Sequence, residues 1–170
     1  YAFLGDSAAI LSSAGFSISS SILYLAVGAI GYPVGAVIMI FSADRFERKH
    51  VIFADTVVWF IGLMLFSFKV SAFIFAGSFL ASMALGMYLQ VAYTYTAENY
   101  PTRARSSGFA LTDGIGHVGG AFGALFLPVL VASFSFAFGF RFIAITGLIA
   151  GILAMLGPKT SSRTLEAISA

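Results

Sequence analysis

The sequence predicts an all-α integral membrane protein, a bundle of membrane-crossing helices. Three observations carry that expectation. Hydrophobic residues make up 59% of the 170-residue chain, charged residues only 9%, and the mean hydropathy is +0.98, far from the averages of soluble domains. The apolar runs are continuous rather than alternating, so each segment must close its own backbone hydrogen bonds as a helix, not as a barrel strand. The charge that exists is gathered into short segments between those runs. The sharpest is Glu98-Asn99-Tyr100-Pro101-Thr102-Arg103-Ala104-Arg105-Ser106-Ser107-Gly108, a surface hinge in which Pro101 offers no N–H and stops the preceding helix near Tyr100.

Taken in order, residues 1–13 are too short to cross and are interrupted by Asp6; they read as the outer end of a helix whose beginning is missing. A polar turn at Ser12, Gly15 and Ser17 leads into a charge-free span over 18–43, where Pro33 predicts a kink and Gly31 with Gly35 predicts a close helix contact. The loop Asp44-Arg45-Phe46-Glu47-Arg48-Lys49-His50 is the densest charge cluster. Residues 51–68 form the next span, with Trp59 inside it and Asp55 about one turn from its charged end, placed to pair with a nearby arginine. Lys69 marks a short outer turn, and 70–97 cross back without a charged side chain. Residues 107–132 cross again carrying only Asp113 and His117, with Pro128 near the far end. Residues 136–157 return, with Arg141 able to snorkel to the outer surface, and 158–170 form a polar tail. Seven of the nine Lys and Arg residues (Arg45, Arg48, Lys49, Arg103, Arg105, Lys159, Arg163) then share one side. By the positive-inside rule that side, and the C-terminus with it, is cytoplasmic.

Several function classes are excluded on composition. A net charge of +2, placed where topology needs it, gives no nucleic-acid surface. There is no cysteine, and the two histidines lie in different segments, so no metal site, thiol nucleophile or disulfide framework is expected. Neither a phosphate-cradling loop nor a nucleophile elbow is present, so an enzyme and a resident cofactor are not expected. The chain opens on Tyr1 without a basic n-region or cleavage pattern, and it is read as part of a longer protein.

Three segments carry a resemblance. Asp44-Arg45-x-x-Arg48-Lys49 after one span, Glu98-x-x-Pro101-Thr102-x-x-Arg105-x-x-Gly108 after another, and Gly157-Pro158-x-Thr160-x-x-Arg163-Thr164-Leu165-Glu166 after the last resemble the major facilitator superfamily, most closely its sugar-porter and metabolite:proton symporter branches. The match covers nearly the whole chain. It implies the C-terminal six-helix half of a transporter with the first helix truncated, working with a missing N-terminal half in a bacterial inner membrane or a plasma membrane. It further implies a gate network of Asp44, Arg45, Arg48, Glu98 and Arg105, with Arg163 and Glu166 nearby. The plainer reading of the same charges is that they anchor the helix ends at the membrane surface. This chain departs from the family at Ile40 and Glu47, where glycine is usual, and at Lys159, where an acid is usual. The paired departures predict that Glu47 and Lys159 meet across the gate.

Inside the spans, two sets of side chains stand out. Asp113 and His117 are four apart and share a helix face, where a carboxylate beside an imidazole suits proton coupling or, alternatively, a structural bond between helices. Gly116, Gly119, Gly120 and Gly123 around them predict tight packing. Tyr88, Gln90, Tyr93 and Thr94 are substrate-contact candidates, with Tyr24 weaker; the competing role is hydrogen bonding between helices. The expectation is a secondary transporter for a small polar metabolite, a sugar or organic acid, moved by alternating access with proton coupling. A non-transporting receptor on the same scaffold, or an inactive fragment, is the alternative.

Overall fold

The computed structural model describes residues 2–161. Their helices are α1 (Ala2–Ser13), α2 (Ile18–Gly28), α3 (Gly31–Ser42), α4 (Arg48–Phe66), α5 (Ser71–Glu98), α6 (Arg105–Ser133) and α7 (Phe136–Ala154), with one 3-10 turn at Thr102–Ala104. No strand occurs among the described residues. Among the described residues, five stretches are long and apolar enough to cross a membrane: Ile18–Ser42, Arg48–Phe66, Ser71–Glu98, Thr102–Ser133 and Phe136–Ala154. The chain therefore shuttles between a charged end, holding Asp44 to His50, Glu98 to Arg105 and Pro158, and a nearly uncharged end at Gly15, Lys69 and Phe134.

Local chemistry sets the helix limits. Ser17 Oγ accepts the Ser20 N–H at 3.1 Å and starts α2, and Ser135 does the same for Phe138 at 3.1 Å ahead of α7. Gly15, at φ 102°, turns the chain between α1 and α2 where a Cβ would be strained. The helix expected over 18–43 is broken into α2 and α3, and the break falls one turn before Pro33 rather than at it. Ala29 is four residues ahead of the proline, so its carbonyl has no Pro33 N–H to accept and takes the Tyr32 N–H at 3.0 Å instead. The bonds tighten to a 3-10 pattern there, with Ile30 donating to Val27 at 3.2 Å.

The bundle is arranged around α5, which packs against α4 on one side and against α2 and α3 on the other; α7 lies behind α4, and α1 and α6 close the remaining side. Glycine makes these approaches possible. Gly35 and Gly31 lie against the backbone of Met83 and Phe79, Gly86 against that of Tyr32, and Gly62 and Gly77 face each other's helices between α4 and α5. Lipid tails are as apolar as the helix sides, so close van der Waals contact rather than exclusion from water holds such helices together. Between α4 and α7 the same device sets Gly147 on Trp59 and Gly151 on Thr56. At the uncharged end the Phe66 ring stacks on Phe136 with centroids 5.9 Å apart, and Phe140 tilts against Phe66 at 4.7 Å. Arg141 Nε donates to Ser67 Oγ at 3.1 Å, so this arginine ties α7 to the end of α4.

One helix is packed differently. Leu127 is the buried residue of α6, and Gly116 and Gly119 have no neighbour within 4 Å of an added Cβ. The tight packing expected at those two glycines is therefore not made among the described residues, because they border cavities. A substitution at Gly35 should reveal the contrast with exposed positions. Gly35→Val places a branched side chain on the Met83 carbonyl and should cost about 1–3 kcal/mol, read as a lowered Tm of the detergent-purified protein. Ile40→Val, on the same helix but exposed, should stay within about 0.5 kcal/mol.

Candidate functional site

The site grows from the facing sides of α5 and α6. On α5, Leu85, Tyr88, Leu89, Ala92, Tyr93 and Thr96 recur at helical spacing. On α6, Phe109, Thr112, Asp113, Gly116 and His117 do the same. With Leu4 and Tyr32 they enclose a cleft of about 510 Å³. Tyr32, Tyr88, Tyr93 and Phe109 bring aromatic rings to its walls, and the Tyr93 ring meets Phe109 edge-on with centroids 5.2 Å apart. Such a volume is in the range of small-molecule sites, with a few polar groups placed among apolar ones.

The polar pole of the cleft is the Asp113 and His117 pair. His117 Nδ1 lies 2.8 Å from the Asp113 carbonyl oxygen and 3.5 Å from its carboxylate Oδ2. A carbonyl only accepts, so Nδ1 carries the hydrogen of that contact. Both side chains are partly open, at 51% for His117 and 32% for Asp113. The charge is therefore reachable from the cleft. Within the described residues the pair lies on one helix, so it makes no carboxylate-to-imidazole bond between helices.

Tyr88 and Tyr93 line the cleft; the other substrate candidates do not. Gln90 and Thr94 are exposed on the far side of α5, and the Thr94 hydroxyl donates back to the Gln90 carbonyl at 2.9 Å. Each residue turns a helix by about 100°, which carries these two positions away from the stripe that includes Tyr88, Ala92 and Thr96. Tyr24 is buried far along the bundle, its hydroxyl bonded to Ser71 Oγ at 2.9 Å and its ring edge-on to Phe75 at 4.6 Å. It joins two helices at the uncharged end. Phe109, Thr112, Thr96 and Tyr32 were not singled out from sequence, although Phe109, Thr112 and Asp113 repeat at the spacing of one helix face.

At the charged end, Arg48 is the centre. It is 8% exposed, and its Nη2 reaches Asp44 Oδ1 at 3.0 Å and Glu98 Oε1 at 3.4 Å, while Nη1 donates to the Ala43 carbonyl. The side chain thus joins the end of α3, the start of α4 and the end of α5. Arg105 makes a different contact from the one expected. Its Nε donates to the Ala97 carbonyl at 3.0 Å and Nη2 to Tyr100 at 3.5 Å, capping the last turn of α5, where carbonyls lack helical partners. Glu47 and Lys159 also do not form the pair expected of them. Glu47 Oε1 instead accepts the backbone N–H of Thr160 at 2.8 Å and of Ser161 at 3.4 Å, and Lys159 is exposed. A carboxylate gains more from two fixed amide donors than from one mobile, hydrated ammonium. Lys49 Nζ adds bonds to the Gly157 carbonyl at 2.8 Å and Met155 at 3.2 Å, and Tyr95 bonds Pro158 at 2.9 Å. Arg45 is exposed; Arg163 and Glu166 lie outside the described residues. Asp55, expected to pair with an arginine, has no such partner among the described residues, because Arg48 is committed to Asp44 and Glu98.

The two acids on Arg48 should differ in weight. The Asp44 side chain is 92% exposed and that of Glu98 only 17%. Asp44→Asn should change stability by less than about 1 kcal/mol, whereas Glu98→Ala leaves a buried guanidinium short of its partner and should cost about 3–5 kcal/mol. Thermal unfolding of both variants at two salt concentrations checks the order, with only the Asp44 contribution screened away at high salt.

Comparison with known proteins agrees with this architecture. The protein named "Putative metabolite transport protein YyaJ" in Bacillus subtilis (strain 168) is 26% identical over 167 residues, covering 97% of this chain and 37% of its own length. That named "Putative niacin/nicotinamide transporter NiaP" in the same organism is 32% identical over 161 residues, 89% of this chain and 39% of the relative. The niacin transporter NiaP of Acinetobacter baylyi (strain ATCC 33305 / BD413 / ADP1) is 27% identical, with 91% and 36% covered. The chain thus spans little more than a third of the length of these relatives. The profile of the Major Facilitator Superfamily matches residues 3–169, nearly end to end, and the chain belongs to that family of membrane proteins.

Proposed function

We propose that this chain forms the C-terminal half-bundle of a secondary transporter that moves a small aromatic carboxylic acid, of the niacin kind, together with a proton by alternating access. The observation that supports the reading is the cleft between α5 and α6, lined by Tyr32, Tyr88, Tyr93 and Phe109 and by the Asp113 and His117 pair. Tyr88, Tyr93 and Phe109 offer faces and edges to a flat ring. A protonated His117, steadied through Nδ1 by Asp113, offers one positive charge to a carboxylate. Proton and anion then neutralise each other in the cleft, which lowers the cost of carrying either across an apolar layer. The names of two relatives, one a putative niacin/nicotinamide transporter and the other a niacin transporter, include an aromatic acid of this class and support the reading.

In this reading the charged end is cytoplasmic and Arg48 is part of the gate. The contact of Arg48 with Glu98 is largely buried while the ends of α4 and α5 meet and would become wet when they part, so its pairing energy differs between two states. In this reading the partner half of the same protein closes the open side of the cleft.

The test is uptake of labelled nicotinate into vesicles carrying the full-length protein, with sugars and aliphatic acids as competitors. Accumulation should follow an imposed proton gradient, and unlabelled aromatic acids alone should compete. Asp113→Asn and His117→Ala should abolish gradient-driven accumulation while leaving exchange, and Tyr93→Ala should raise KM about tenfold, the equivalent of about 1.4 kcal/mol of lost contact. Sugar accumulation with no competition by nicotinate would overturn the substrate class, and wild-type accumulation by both pair variants would overturn the coupling.

A further inference from the structure

A second polar group in the bundle is buried and is used by nothing described above. Asp55, two turns into α4, is 1% exposed, and its Oδ1 has no hydrogen-bond donor. It borders a second cavity of about 570 Å³ with Thr56, Trp59, Ala84, Tyr88, Thr146 and others, most of them apolar. The two hydroxyls closest in kind are already committed: Thr56 Oγ1 donates to the Phe53 carbonyl at 2.8 Å and Thr146 Oγ1 to Ile143 at 2.9 Å.

The charged and titratable groups on every side can be named. From α5 the cavity receives the phenol of Tyr88; from α7 it receives Ile143, Thr146, Gly147 and Ala150, none titratable; from α6 it receives Gly119. On α4 itself, Arg48 is held by Asp44 and Glu98, Lys49 by the carbonyls of Met155 and Gly157, and His50 is exposed. No Lys, Arg or His among the described residues comes within ion-pair distance of Asp55. A carboxylate charge with neither donor nor counter-charge costs several kcal/mol in such surroundings. The cavity is also wide enough for water, which needs only about 10–15 Å³ of probe volume.

We propose that Asp55 is a proton-binding site: Oδ1 takes a proton from water entering the cavity, forming an O–H bond and removing the carboxylate charge, and returns it to water when the cavity is hydrated again. One proton is bound and one released, with no other reactant. This site is separate from the Asp113 and His117 pair, which opens into the neighbouring cleft, but the two cavities share Leu85 and Tyr88 as a wall. Proton binding at Asp55 stands on this geometry alone; its link to substrate movement rests on the transport reading.

Two measurements on the full-length protein in lipid vesicles test it. Dicyclohexylcarbodiimide, an apolar reagent that attacks protonated carboxyls, should label the peptide bearing Asp55. Labelling should fall at least about tenfold between about pH 5 and about pH 9, the interval in which a buried carboxyl exchanges its proton. Infrared difference spectra of wild type minus Asp55→Asn should show a carboxylic C=O band at low pH that gives way to carboxylate bands at high pH. Carboxylate bands throughout that interval, with no labelling, would overturn the proposal. If Asp55→Asn fails to fold, Asp55→Glu should keep the titrating band at a shifted frequency, and wild-type labelling needs no variant. Proton binding without any change in the pH profile of uptake in Asp55→Glu would overturn the link to transport. A failure of nicotinate uptake would leave both optical and labelling outcomes intact.

Discussion

Close backbone contact around α5 is the constraint on which the rest of the structure depends. Every long helix here is apolar on all sides, so burial against lipid and burial against protein differ little in free energy. Direction must come from shape. Gly31, Gly35, Gly62, Gly77 and Gly86 supply it by letting neighbouring backbones touch, and the helices with such contacts become the fixed part of the bundle. The polar chemistry is then placed by that frame. Tyr88 and Tyr93 face the cleft because Gly86 on the same helix is pressed against Tyr32.

Polar groups follow the same economy of placement. At the charged end they are satisfied by helix termini: Arg105 on the end of α5, Lys49 on the end of α7, and Glu47 on the amides beyond it. These contacts use orphan backbone groups as partners in preference to opposite side-chain charges. Arg48 is the exception, and it sits where three helix ends converge. Deeper in, Asp55, Asp113 and His117 border two cavities that share a wall at Leu85 and Tyr88.

Much of this was readable from the residues. Composition and unbroken apolar runs gave an all-helical membrane fold, and Pro33 announced an interrupted helix. The charge segments located the helix ends that Arg48 now joins. What could not be read was direction around a helix axis. Gln90 and Thr94 stand in the sequence beside Tyr88 and Tyr93 as substrate-contact candidates, whereas the cleft side of α5 is centred on Leu85, Tyr88, Ala92 and Thr96. With an apolar stripe absent, no residue pattern on α5 marks the side that faces the protein. Pairings across loops failed for a related reason. Glu47 and Lys159 have complementary charge in sequence, but backbone amides compete for the carboxylate and sequence does not display them. The glycines of α6 show the limit most plainly, since Gly116 and Gly120 have the spacing of Gly31 and Gly35, yet a Cβ at Gly116 would meet nothing within 4 Å.

That difference in neighbours separates the two walls of the cleft. The α5 wall is bound to α3 and α4 by glycine contacts in which an added methyl would meet main-chain atoms that cannot move aside. The α6 wall has one buried residue, Leu127, near its far end, and open space beside Gly114, Gly116 and Gly119. Among the described residues, a change of cleft shape carried by α5 would have to break backbone packing on two sides, whereas the same change carried by α6 disturbs side-chain contacts: Tyr93 with Phe109, the Tyr100 and Thr112 hydroxyls, Gly108 with the Tyr100 ring, and the packing around Leu127. Asp113 and His117 ride on α6, and Tyr88 and Tyr93 stay with α5. The cleft therefore divides into a rigid aromatic side and a less constrained side that bears the charge, so the distance between ring contact and charge contact is the geometric variable the packing leaves open.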